Sequence, residues 1–463
     1  MKIRTIIIGG GLAGLAAAVR LALEQVPVLL LEARASLGGR AGSYRDPQSG
    51  WVIDNCQHVS MGCCTELRWF CEATGNDQET SFRTERELYF IDGPGRISCF
   101  RAWPLPAPLH LAPAFAGLKY LSWSDKWQIA RAMRSLISVP NPPGPHDQPD
   151  HFPDESCLAW LQRHHQSDRL IEQFWGILFV SALSESLDRI DIRHARKVVV
   201  AGFLKDRHGW EVQIPNQPLS ELYGNNLSQW LISRGVEIRC SAPVSQFVME
   251  ESGERIQSVR LNSGDVVEGD NFLSAVTVDR LKSLLPTSLT VRDEWRFLDQ
   301  IETAPITSVH LWFDRAVSKL PHAVFIGRTS QWMFRRPLDE NRPPELENSP
   351  AGQTVGDYAQ IVISASRVAR AMEQPELIAA VCQDLRECFP EAGAAKLLHA
   401  RVITETRAVF SPVPGIDRIR PLQQSAVPNL QLAGDWTRTG WPSTMESAVR
   451  SGRLAAENIL ERG

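Results

Sequence analysis

The residues that most constrain the fold stand at the start of the chain. Thr5-Ile6-Ile7-Ile8 is a β-branched run with no polar interruption, the pattern of a central parallel strand buried on both faces. Gly9-Gly10-Gly11-Leu12-Ala13-Gly14 follows at once. Leu15, Val19 and Leu23 then mark a helix whose small residues, Ala16 to Ala18, suit close packing on a sheet, and Val28-Leu29-Leu30-Leu31-Glu32 reads as a second strand ending in an acid. In this order of strand, GxGxxG, helix, strand and acid, each residue has a physical task. Gly9 permits the tight turn, Gly11 lets a pyrophosphate approach the backbone at the helix N-terminus, and Gly14 lets the helix press on the strand. Glu32 is placed to accept ribose hydroxyls. The spacing predicts a dinucleotide site at the edge of an α/β sheet.

Leu37-Gly38-Gly39-Arg40 comes directly after the acid. Nicotinamide binding does not demand a second glycine pair with an arginine there. The run resembles the GG[R] motif of flavoproteins with two dinucleotide-binding domains, where the backbone wraps the FAD diphosphate and the arginine adds charge-assisted bonds. The far end of the chain supplies an independent match. Asn429 to Leu432 reads as a strand leading into Ala433-Gly434-Asp435, and Ser443-Thr444-Met445-Glu446 reads as a capping box opening a helix to about Glu461. The resemblance implies that Asp435 bonds a ribityl or phosphate oxygen. It also implies that the helix start at Ser443, Thr444 and Met445 faces the flavin pyrimidine, its dipole stabilising charge on the reduced ring. FAD is the expected cofactor, bound non-covalently, because no C-terminal Ser-Gly-Gly-Cys attachment sequence is evident.

Length and composition limit the rest. A chain of 463 residues is long enough for two or three domains. A net charge of -4 offers no basic field for a phosphate backbone, so nucleic acid is not an expected partner. Nine cysteines at irregular spacings, with Cys63 and Cys64 adjacent, read as reduced thiols in a cytosolic compartment, and no His or Cys spacing suggests a metal. Lys2 and Arg4 before an apolar stretch imitate a signal peptide, but Gly9, Gly10, Gly11 and Gly14 contradict that reading. No apolar run reaches the ~20 residues that span a bilayer.

Cofactor segments at both termini mean a discontinuous cofactor domain. The expected architecture is α/β: a Rossmann-like two-dinucleotide-binding-domain flavoprotein, similar to amine oxidases and phytoene desaturases. Its FAD domain comprises residues 1–62, 205–275 and 405–463, and an inserted α+β substrate domain comprises 63–204 and 276–404. The middle FAD segment reads as a helix near Leu222 to Arg234, the strand Val236 to Cys240, and hairpin strands Val244 to Met249 and Ile256 to Leu261. In the resembled fold the backbone at Val244 meets the adenine. Alternating stretches at 88–92, 96–100, 308–313, 323–327, 331–335 and 357–364 predict an antiparallel sheet flooring a cavity. Segments 140–153 and 341–352 read as exposed loops.

Residues 103–139 stand apart. Pro104, Pro106, Pro108 and Pro113 separate short apolar pieces, followed by Trp123, Lys126, Trp127, Arg131 and Arg134. This mixture is that of a helical lid lying on a membrane surface. Peripheral contact with the inner face of the cell membrane is the expectation, and a lid packed entirely on the cavity is the alternative.

After the Gly-Gly-Arg run comes Ile53-Asp54-Asn55-Cys56-Gln57-His58-Val59-Ser60-Met61-Gly62-Cys63. With the run from Leu432 through Glu446 to Gly452, this stretch resembles hydroxysqualene dehydroxylases, also called squalene-associated flavin desaturases. It departs from their pattern at Cys56 and Ser447, where glycines are usual, and at Cys64, where an aromatic is usual. The resemblance implies a long triterpene allylic alcohol, hydroxysqualene, whose hydroxyl is replaced by hydride to give squalene for isoprenoid and hopanoid synthesis. That chemistry asks for an acid near the flavin, and Asp54 and His58 are the titratable candidates. Only one GxGxxG is present, so the electrons that reduce the flavin come from an unidentified donor. Plant-type carotene desaturases share a similar stretch and are the rival reading. A remote one is a non-enzymatic prenyl-binding protein of the GDP-dissociation-inhibitor type, against which the intact flavin motifs argue.

Overall fold

The computed structural model describes residues 4–76, 78–147, 152–336 and 355–462. The expected loop at 341–352 lies outside these residues, as does part of the loop at 140–153. The cofactor domain is built on a five-stranded sheet in the order Glu237–Arg239, Val28–Leu31, Thr5–Ile8, Asn271–Ser274, Leu430–Leu432, with every neighbouring pair parallel. Three distant stretches of chain therefore meet in one sheet. Thr5–Ile8 lies at its centre and is fully buried, as its unbroken apolar run requires. The helices Leu12–Leu23 and Met445–Leu460 pack on each other beside it. Val244–Met249, Ile256–Leu261 and Val266–Glu268 form a separate antiparallel sheet.

The inserted domain holds a seven-stranded sheet, Leu397–Phe410, Thr303–Phe313, Asp357–Ile363, Trp332–Arg336, His322–Phe325, Leu88–Ile91, Ile97–Phe100. All six expected strands belong to it. It is not wholly antiparallel, because His322–Phe325 runs parallel to Leu88–Ile91. Leu397–Phe410, at 14 residues its longest strand, carries few apolar alternations and had no sequence signal. It crosses the expected boundary at 404/405, so substrate sheet and cofactor wall share one continuous strand.

The 103–139 segment is helical in part. Leu109–Leu111 is a single tight turn, Ala112–Ala116 a short helix, and Trp123–Ile137 a helix of 15 residues opened by a capping box between Ser122 and Asp125. Its inner face, with Ile129, Ala132 and Leu136 buried, joins a large apolar cluster with Trp160, Trp175 and Phe179. Most of the chain's indoles are accounted for in such clusters. Among the described residues no helix is long and apolar enough to cross a membrane.

Candidate functional site: a cofactor cradle opening into an apolar arm

One cavity of about 1310 Å³ runs from the N-terminal glycines to the lid helix. Gly9, Gly11, Glu32, Gly38, Gly39, Arg40, Val244, Gly434, Asp435, Ser443, Thr444 and Met445 all line it. Twelve of the thirteen expected cofactor residues thus share one wall, brought together from three chain segments. The thirteenth, Gly14, lies behind that wall, where a Cβ would meet the carbonyl oxygen of Gly9 at 1.9 Å. Its absent side chain serves helix–strand packing, as the motif requires.

Gly11 is different. A Cβ there would find only the Cα of Gly39, at 3.9 Å, so no protein packing forbids a side chain. What a side chain would fill is the cavity itself. The helix that follows, Leu12–Leu23, receives no side-chain cap at its N-terminus, which leaves first-turn N–H groups for an anion. A pyrophosphate fits this cradle on geometry and charge. Glu32 is buried, accepting from the N–H of Gly10 at 2.6 Å and of Arg34 at 2.8 Å, which fixes its carboxylate at the cavity edge. Val244 lines the wall, and its carbonyl accepts from Arg280 at 2.7 Å; Arg280 is a lining residue with no sequence signal.

Arg40 and Asp435 were each expected to contact cofactor oxygens, but they meet each other at 2.5 Å. Asp435 also accepts from the Ser443 hydroxyl, and Arg40 donates to the carbonyl of Ala408 at 2.5 Å. This pair ties the two ends of the cofactor domain across the cradle. The expected capping box is corrected as well. Thr444, not Ser443, caps the C-terminal helix, accepting from the N–H of Ser447 at 3.1 Å. Glu446 instead accepts from the N–H groups of Glu66 and Leu67 and so caps the neighbouring helix Thr65–Ala73.

The two candidate acids do not keep that role. Asp54 is 2% exposed and outside the cavity lining. Its carboxylate accepts from the hydroxyl of Ser43 at 2.6 Å, the N–H of Leu219 at 3.1 Å and the guanidinium of Arg336 at 2.9 Å. Every partner is a donor, so Asp54 is a latch between segments. His58 does line the cavity. Burial pulls its pKa below the ordinary value, which leaves it neutral near pH 7. Its Nδ1 lies 2.9 Å from the carbonyl oxygen of Cys56, which takes the imidazole proton away from the cavity. The ring offers Nε2 as an acceptor rather than a proton to donate.

Beyond the cradle the cavity continues as an apolar arm. Leu88, Phe90 and Phe100 line it from the sheet, Phe174, Ile177 and Leu178 from the helical insertion, and Ile129, Met133 and Ile137 from the lid helix. Leu109 and Ile137 both line the arm and face solvent, 57% and 49% exposed, so the arm opens there. On the same 103–139 segment Trp103, Leu105, Trp123 and Trp127 are also exposed, the last two by 74% and 73%. Among the described residues no His, Cys, Asp and Glu cluster fits a metal, and all nine cysteines are free.

The sequence matches the model of the flavin-containing amine oxidoreductases over residues 12–460. It is 25% identical over 468 residues to a 15-cis-phytoene desaturase of Solanum lycopersicum, covering 98% of this chain and 77% of that protein. It is likewise 25% identical to a zeta-carotene desaturase of Zea mays, over 489 residues, 100% of this chain and 84% of that one. Among solved structures, putrescine oxidase bound to putrescine superposes with a TM-score of 0.71 at 15% identity, covering both chains fully. An oxidoreductase from Methanosarcina mazei superposes with a TM-score of 0.70 at 16% identity, covering 99% of this chain and 100% of that one. The dinucleotide this cradle accepts is FAD, and the chain is a flavin-dependent oxidoreductase.

Proposed function

Because this chain belongs to the flavin-containing amine oxidoreductase family, we propose that it reduces a long polyisoprenoid alcohol, hydroxysqualene, to squalene. The observation that carries this reading is the apolar arm, walled by aliphatic and aromatic side chains and continuous with the cofactor cradle. A flexible hydrocarbon of thirty carbons gains about 25 cal/mol for each Å² of apolar surface it removes from water there. A small charged amine finds no carboxylate on that wall among the lining residues of the lid and helical insertion. In the net reaction one hydride and one proton replace the hydroxyl, giving squalene and water. Bound FAD supplies the hydride in its reduced form. The protein excludes water along the arm and holds the chain so that one carbon faces the cradle. Gly11 and the uncapped helix start hold the diphosphate, Glu32 the ribose, and the Ser443–Met445 turn the flavin pyrimidine.

The same reading places the protein on a membrane. The segment that carries the mouth at Leu109 and Ile137 also carries the exposed Trp103, Leu105, Trp123 and Trp127, with Lys126, Arg131 and Arg134 on the lid helix. Indoles beside cations are the chemistry of an anionic lipid interface, and a substrate dissolved in lipid enters there. A cytoplasmic protein, peripheral on the inner face of the cell membrane, meets both conditions.

The carotenoid-desaturase relatives favour a second reading, hydride removal from a saturated carbon of a polyene by oxidised FAD. The neutral His58, an acceptor at the cavity wall, suits the proton loss that such a reaction requires. One experiment separates the two. Chemically reduced enzyme without oxygen is mixed with hydroxysqualene, and oxidised enzyme with phytoene. Reoxidation of the flavin with one equivalent of squalene supports the reduction. Bleaching by phytoene, with no response to hydroxysqualene, replaces it with desaturation.

A further inference from the structure

Where the apolar arm meets the cofactor wall, three serines break its hydrocarbon lining: Ser181, Ser184 and Ser364. They come from two elements. Ser181 lies in the last turn of the helix Ile177–Leu183, and Ser184 caps its C-terminus in a left-handed conformation, φ 54°. Ser364 follows the strand Asp357–Ile363, two residues after Val362, and both line the cavity. Trp332 pairs with Val362 across the sheet, and its indole N–H donates to the Ser181 hydroxyl oxygen at 3.1 Å. The indole therefore joins the helix to the sheet at this point.

Each serine is held in place by a bond that leaves its hydroxyl proton unused. Ser181 is an acceptor in its contact with Trp332. Ser364 is pinned through its backbone, its carbonyl accepting from Gln331 at 3.1 Å and its N–H donating to the Gln331 side chain at 2.8 Å. Ser184 is fixed by the next residue. The Glu185 carboxylate, whose side chain has no exposure, holds Arg367, Arg189 and the Ser411 hydroxyl. Ser411 follows Phe410, whose N–H donates to Ser443 on the cradle. Neither Ser184 nor Ser364 makes a side-chain hydrogen bond to any described residue. Polar hydrogens directed into an apolar cavity cost free energy unless a ligand accepts them.

We propose that Ser181, Ser184 and Ser364 form a hydroxyl-recognition site that selects an isoprenoid alcohol over the parent hydrocarbon. The inference rests on the polyisoprenoid reading above and adds a chemical requirement to it: the substrate carries an oxygen where the arm meets the cradle. A serine hydroxyl donates to that oxygen, and the Trp332 bond keeps Ser181 turned toward it. A purely hydrocarbon chain leaves these groups desolvated and unpaired, so the same site discriminates against it. Tyr120, buried against Phe90, and Arg134, on the lid helix, are other polar side chains of this arm and belong to the lid segment.

The test is binding without turnover. Oxidised holoenzyme is titrated with hydroxysqualene and with squalene in the same detergent, reading the visible flavin band. The wild type should bind the alcohol at least tenfold more tightly than the hydrocarbon. Ser181→Ala/Ser364→Ala should erase that ratio, weakening the alcohol and tightening squalene as the desolvation penalty is lost, with FAD content unchanged. Trp332→Phe, which removes the donor together with part of the indole's volume, should lower the ratio in part. Equal binding of the two ligands by wild type, or an undiminished ratio in the double variant, overturns the proposal. If the double variant does not fold, an undiminished ratio in Trp332→Phe overturns it. Alcohol selectivity without flavin reoxidation would refute the reduction and keep the site, whereas reoxidation without selectivity would refute the site alone.

Discussion

Replacing Gly452 by alanine tests whether the two cofactor-flanking helices are locked by backbone contact. Gly452 lies within Met445–Leu460, and a Cβ built there meets the carbonyl oxygen of Ala13 at 2.0 Å, its carbonyl carbon at 2.9 Å and the nitrogen of Ala17 at 3.1 Å. These atoms are backbone of Leu12–Leu23, which cannot swing aside like a side chain. Ordinary carbon–oxygen contact begins near ~3.4 Å, so the helices must part by roughly 1 Å or more. Overpacking of this kind costs about 1–3 kcal/mol. Alanine regains up to ~1 kcal/mol of helix propensity, which does not offset it. The displaced helices begin at the two walls of the cradle, Leu12 beside the diphosphate turn and Met445 beside the Asp435 loop. A net loss of about 1–2 kcal/mol in apoprotein stability is expected by urea unfolding. FAD affinity, read from the fluorescence of released flavin, should fall about tenfold, equal to ~1.4 kcal/mol. Gly393→Ala is the control, because nothing lies within 4 Å of a Cβ at that position. Were Gly452→Ala to match that control in both stability and FAD affinity, the close-contact argument would be wrong.

Two further outcomes are expected. In flotation with anionic phospholipid vesicles the wild type should rise with the lipid, and replacement of Trp123 and Trp127 by serine should leave most of it behind with FAD retained; purely soluble behaviour in both would end the membrane reading. Glu185 governs a pH dependence: burial opposes its charge, but Arg367 and the Ser411 hydroxyl outweigh burial and bring its pKa down to about 2 from the usual 4.5. A depressed carboxylate pKa stabilises the fold above the unfolded-state value. That stability, on the order of 3 kcal/mol at most, is lost as pH falls from about 4.5 toward 2. Glu185→Gln should therefore be clearly less stable than wild type at pH 7, with the gap narrowing below pH 4. A gap independent of pH would show that packing alone is at stake.

The cofactor half of the molecule was legible because its sequence signals are local. A buried parallel strand, a glycine turn and a helix start occupy contiguous residues, and Thr5–Ile8, Gly9–Gly14 and Leu12–Leu23 follow one another in the chain. The six sheet strands of the insertion were readable for the same reason, through short alternation. Leu397–Phe410 was not, because its pairing with Thr303–Phe313 is long-range and it carries polar and charged residues at half-buried positions. The role of Glu446 was misread because a capping box and a cap supplied to a different helix have the same sequence. Only the approach of Thr65–Ala73 to Met445–Leu460 tells them apart.

Asp54 shows the same limit at the site. A carboxylate near a flavin reads from sequence as a titrating group, because nothing local reveals that Ser43, Leu219 and Arg336 converge on it from three other stretches of chain. With those donors in place it holds Ser43, just after the Gly-Gly-Arg segment, the start of the helical turn near Leu219 and the end of the central substrate-sheet strand Trp332–Arg336 together. His58 differs, since the contact that fixes its tautomer is to Cys56, two residues away, yet its neutrality comes from burial by the whole cavity wall. The acid expected of these two residues is thus absent from both. The hydroxyl groups aimed at the junction of arm and cradle are serines, which titrate nowhere near neutral pH. A hydroxyl departing in this site would be met by the serine hydrogen-bond donors and take up its proton once it reaches solvent, so the rate of reduction should follow the stability of the developing allylic cation more closely than the pH.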